Sequence, residues 1–232
     1  MNTKFRSVDE IVCRARANKM SDHPFFTRLA HEPLNQTALW SFYANLSEVR
    51  AKGPDWITRL VNHSGDVRIK CLFSPTLFRE LDGVHCLPVT EISQALLPWE
   101  PEHTNWDPQQ PGKILAAQMD KIFTRSEEMD MDFVVGSLIS GDIYAQQMIF
   151  VLADVVRNQF KDSSDGLEWQ RIHLEFESDP ARASVDLGDF VPDGGPRLDR
   201  VRAGATWVRD SLWAWLDGIY RAAYSGSQNA SP

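Results

Sequence analysis

The sequence predicts an all-α protein, a single helical bundle of about seven to nine helices. Three observations predict it. Apolar residues recur at helical steps through most of the chain. No stretch shows the alternation of a half-buried strand. No internal repeat divides the 232 residues, a length that fits one medium domain with a substantial core.

In chain order, residues 1–20 are expected to form an N-terminal helix or arm, 21–222 the helical domain, and 223–232 a small, polar, disordered tail. Ser21-Asp22-His23-Pro24 is a helix start, a capping residue followed by a proline suited to the first turn. Leu39, Phe42, Tyr43, Leu46 and Val49 give the next segment an apolar face, and Gly53-Pro54 kinks or divides it. Asp66 caps a third helix, which Pro75 should bend or break. A short helix follows Asp82-Gly83, and Pro98 to Gly112 reads as the longest loop, holding Trp99 and Trp106. From Lys113 to about Phe160 the pattern gives two helices or one interrupted helix, its later part so apolar that it must be central. Glu168 to Glu177 is another helix. After a Gly- and Pro-rich loop, a last helix from about Leu198 turns Val201, Val208, Trp215, Leu216 and Ile219 inward.

The net charge of −8, with no basic run, argues against nonspecific binding to nucleic acid or an anionic membrane. Cys13, Cys71 and Cys86 are an odd, widely spaced set that reads as free thiols. The N-terminus lacks the apolar core of a signal peptide, and no uncharged apolar run has the length of a membrane span. The expectation is a soluble cytoplasmic protein.

Two places carry ligand-like chemistry. His173 and Glu177 are one helical turn apart, a spacing at which an imidazole and a carboxylate hold a divalent metal. Pro180, where a third ligand might follow, has no ligand atom and disfavours a continuing helix. On the central helix, Ser140, Asp142, Tyr144, Gln146, Gln147 and Asp154 interrupt an apolar surface. They mark either an outward polar edge or a polar-lined pocket, since a buried polar group without a partner costs roughly 1–3 kcal/mol. Glu80 and His85 add a second acid–imidazole pair around the helix stop at Gly83, unless they are merely solvated charges at a helix end. His23 reads as part of a cap, His31 and His63 as surface residues. No nucleophile elbow, zinc-protease, phosphate-loop or dinucleotide motif is present.

Read in order, His23-Pro24-Phe25-Phe26, Leu39-Trp40-Ser41-Phe42-Tyr43, Asp66 to Glu80, Ile172 to Ala181 and Ala203 to Trp215 resemble the haem-oxygenase-like fold superfamily. The closer likeness is to its non-haem iron oxidases and oxygenases, beside pyrroloquinoline-quinone synthase and thiaminase-II-type proteins. The resemblance implies metal ligands at Glu80, His85, His173 and Glu177. It matches Gln147 to a central-helix glutamate and Pro180 to a late histidine, so a full two-iron site is not expected. Two Fe(II) ions in a low-dielectric core need more anionic oxygen than remains.

The function implied is a small-molecule oxidase or oxygenase of a biosynthetic pathway. It would use Fe(II), possibly mononuclear, and O2 on an amine or amino-acid-like substrate, with Tyr144 and Gln147 orienting substrate or metal-bound water. Two alternatives stay open: a metal-free pocket enzyme using His/Glu acid–base chemistry, and a non-catalytic metabolite-binding or partner protein of the same fold. A homodimer is suggested by the fold, with Trp207, Trp213 and Trp215 as an aromatic surface.

Overall fold

The computed structural model describes residues 7–32, 35–81, 107–124, 129–159 and 187–224. Among them are eight α-helices and no strand: α1 Ser7–Ala17, α2 Pro24–His31, α3 Gln36–Arg50, α4 Gly53–His63, α5 Val67–Leu81, α6 Gln110–Thr124, α7 Met131–Gln159 and α8 Gly195–Tyr224. A single 3-10 turn, Met20–Asp22, joins α1 to α2. The expected all-helical bundle is what forms.

Local chemistry places the helix starts. His23 caps α2 with its ring, Nδ1 accepting the Phe25 N–H at 3.1 Å, and Pro24 occupies the first turn, where its missing N–H costs nothing. Asn35 caps α3 through the Ala38 N–H, and Asp66 caps α5 through the Arg68 N–H. Gly53-Pro54 divides α3 from α4, again with the proline in a first turn. Pro75 does not break α5, which continues through it. Pro75 and Cys71 are both exposed, so water can serve the carbonyl that loses its partner.

The core forms where α7 and α8, the two longest helices, pack along one another. Gly136 and Gly204 make the crossing close. A Cβ at Gly136 would collide with the Val201 carbonyl oxygen, and one at Gly204 with that of Phe133. Ser137 Oγ, bonded to the Gly204 carbonyl at 3.1 Å and to its own helix at Phe133, fills the remaining space. At the start of the pair, Asp132 is nearly buried and takes Arg197 at 2.9 Å and Arg200 at 3.0 Å. The two guanidiniums hold its carboxyl below the usual range.

The N-terminal arm belongs to the same core. Val8, Ile11 and Ala15 of α1 are buried in it, together with Phe25, Phe26, Phe42, Tyr43 and Trp215. Of the three tryptophans considered for an interface, Trp207 packs on Phe133, Trp215 on Phe42, and only Trp213 is exposed, at 38%. Over Met131–Val155, α7 has the length and apolarity of a membrane span, but that surface serves here as core packing. Cys13 and Cys71 are exposed free thiols.

Candidate functional site

The central helix α7 presents two polar faces, and they do different things. Counting about 100° per residue, Ser140, Tyr144 and Gln147 lie about 140–200° round the helix from Asp142. The first face turns towards α1 and α8. There Gln147 Oε1 accepts the Met20 N–H at 2.7 Å, and its Nε2 donates to the Ala15 carbonyl at 3.5 Å. The amide of Gln147 thus joins the end of α1 to the 3-10 turn. Tyr144 is buried beside it, and burial raises the pKa of its phenol. With Ser140, Arg14, Arg202 and Arg209 it lines a cleft of about 20 Å³, room for roughly one water.

The second face carries Asp142, with Ile139, Gln146 and Ile149 buried one turn or two to either side. Asp142 is half-buried, and desolvation pushes its carboxyl from an ordinary 3.8 up to about 6. Asp132, at the head of the same helix, has two arginine partners. Asp142 has no hydrogen-bond or ion-pair partner among the described residues. Loss of hydration without compensation is what separates its pKa from that of Asp132.

A third group lies at the α2–α8 contact. The buried His23 directs Nε2 at Asp217 Oδ1, 3.1 Å away, and meets the edge of Trp213 at a centroid distance of 4.6 Å. The Phe25 N–H donates to Nδ1, so Nε2 carries the proton and donates to Asp217. Desolvation lowers the pKa of His23, although Asp217 opposes it. Both ring nitrogens are occupied, which suits a cap and leaves no free proton-transfer position.

Glu80 falls in the last turn of α5, but its side chain lies outside the described residues, as do His85, His173 and Glu177. Among the described residues no three His, Cys, Asp or Glu side chains converge as a metal site. The described part of the central helix offers Asp142 as an uncommitted acid, while Gln147 is engaged by backbone. An apolar groove of about 360 Å³ between α6 and α8, walled by Pro111, Ile114, Ala214 and Gly218, has no acid or imidazole among its described lining residues.

In the sequence Asp142 is one of several polar interruptions of the central helix and one of three acids, with Asp154 and Asp179, that could substitute for a missing anionic ligand. Its offset of about 140° from Gln147 was available from helical periodicity; which face met the arm was not. The His23–Asp217 pair joins positions 194 apart in the chain and left no local signal.

No protein-family model matches this sequence, and no curated protein does. Among solved structures, a TenA homolog from Pseudomonas syringae pv. tomato is similar in fold, with a TM-score of 0.68 at 12% identity, covering 92% of this chain and 91% of that one. With the helix order above, this gives the chain the all-helical fold of that protein.

Proposed function

We propose that this protein is a small-molecule enzyme whose reaction pocket lies on the Asp142 face of α7 and which works by acid–base chemistry. In this reading His173 and His85 carry protons, and Glu177 and Glu80 set their basicity. Tyr144 and Gln147 support the site from behind, holding α1 and α8 against the central helix rather than touching substrate.

The observation that carries the choice is the engagement of Gln147. Its position corresponds to the central-helix ligand expected of an iron-binding relative, yet its oxygen is already accepting the Met20 N–H at 2.7 Å. A neutral amide committed to backbone neither offsets metal charge nor bridges two ions.

A second reading rests on the His173–Glu177 spacing. Together with His85 and Glu80 it offers two imidazoles and two carboxylates, from which two imidazoles and one carboxylate would suit one Fe(II). Such an iron would supply O2 activation, and the protein would be an oxidase or oxygenase.

Metal analysis separates the two. Protein purified from iron-supplemented cells is expected to hold well under one iron per chain, unchanged by His173→Ala. One iron per chain, lost in the variant, transfers the conclusion to the oxidase reading.

A further inference from the structure

We propose that the cleft between α1, α7 and α8 binds a compact oxyanion of the phosphate or sulfate type. One oxygen sits against Ser140 and Tyr144, and the rest lie at the mouth among Arg14, Arg202 and Arg209. The cleft is across α7 from Asp142, so the assignment is separate from the pocket reading above.

The lining is rich in donors that have no acceptor. Ser140 and Tyr144, one turn apart on α7, are 1% and 2% exposed, and neither hydroxyl has a hydrogen-bond partner among the described residues. Arg202 Nε is also buried without one. Buried donors in that state carry a standing penalty unless something in the cleft accepts from them.

Charge decides what that acceptor is. Three guanidiniums line the cleft against one carboxylate, Glu10, which Arg202 and Arg14 share at 2.6 and 3.4 Å. The other acids beside these arginines, Asp199 and Asp210, are 73% and 61% exposed and lie outside the lining, where such pairs are screened by solvent. A water satisfies the hydroxyls but leaves the positive charge of the lining unmet. An oxyanion answers both, for its remaining oxygens accept from guanidinium N–H groups. Burial keeps the Tyr144 phenol protonated and therefore a donor. The enclosed space of about 20 Å³ takes a single oxygen, which limits the seated part of the ligand to the oxyanion itself.

The test titrates inorganic phosphate calorimetrically, at an ionic strength fixed with sodium chloride, into the full chain, Tyr144→Phe and Arg209→Gln. Both variants spare the Glu10–Arg202 pair that joins α1 to α8, and circular dichroism confirms that they are folded. Wild type is expected to bind one phosphate per chain, with sulfate competing for it. Each variant is expected to bind at least about tenfold more weakly, the scale of one charge-assisted hydrogen bond. Tyr144→Phe is the sharper arm, because it removes a buried hydroxyl and no charge. Anions merely gathered on exposed arginines would not respond to it. No saturable binding to wild type, or phosphate affinity unchanged in Tyr144→Phe, overturns the site. Methyl phosphate identifies the source: affinity equal to that of phosphate assigns the site to the end group of an ester, and exclusion of the ester assigns it to the free ion, each upholding an oxyanion site.

Discussion

Gln147 Oε1 accepts the Met20 backbone N–H at 2.7 Å, joining positions 127 apart in the chain. The bond ties the N-terminal arm to the central helix at a buried point, for Met20 is fully buried. Gln147→Ala leaves that N–H without a partner and should cost roughly 1–3 kcal/mol. Amide exchange should accelerate first around residues 15–20. Gln147→Glu keeps an acceptor for Met20 but loses the donor to Ala15, so its loss should be smaller.

His23 gives the fold a dependence on pH. Its pKa is lowered in the folded chain, chiefly by burial, so the unfolded chain binds more protons between the folded value and the ordinary 6.5. The stability from neutral His23 is fully present above 6.5 and is lost as pH falls through the folded value. Protonating Nδ1 would also set N–H against the Phe25 N–H. Asparagine at this position keeps a side-chain oxygen to cap α2 and does not titrate. The fall in melting temperature from pH 7 to pH 5 should be shallower in His23→Asn than in wild type.

The α7–α8 crossing should tolerate no added carbon. Gly136→Ala and Gly204→Ala each place a methyl against a backbone carbonyl that cannot rotate away. Either should cost about 3 kcal/mol, the upper end of overpacking, whereas Gly65→Ala meets open space and relieves unfolded-chain entropy. Chemical denaturation of the three variants checks the contrast.

Much of the bundle was legible because its pattern is local. The inward positions Val201, Val208, Trp215, Leu216 and Ile219 of the last helix are all buried. The caps at His23 and Asp66 follow from residue type. Pro75 does not end α5 because the Cys71 carbonyl it frees lies on an exposed face, and exposure is not written locally. The site was harder to read for a similar reason. α7 is apolar nearly all round, so periodicity separates its two polar stripes without saying which one meets the arm. Only the contacts of Met20 and Ala15 with Gln147 decide that. The expected ligands Glu80, His85, His173 and Glu177 fall outside the described side chains.

Asp142 has no hydrogen-bond or ion-pair partner among the described residues, and the stability of Asp142→Asn at pH 7 tests most directly whether its carboxylate is uncompensated. Its pKa is raised from 3.8 to about 6, so the folded chain binds more protons than the unfolded one between those values. Ionisation therefore removes stability as pH rises through that window, in full above about 6 and not at all below 3.8. Asp142→Asn is predicted to be more stable than wild type by roughly 2–3 kcal/mol at pH 7, with the gain fading towards pH 4. A variant that is less stable than wild type at pH 7, or a gain that does not fade in acid, would contradict it.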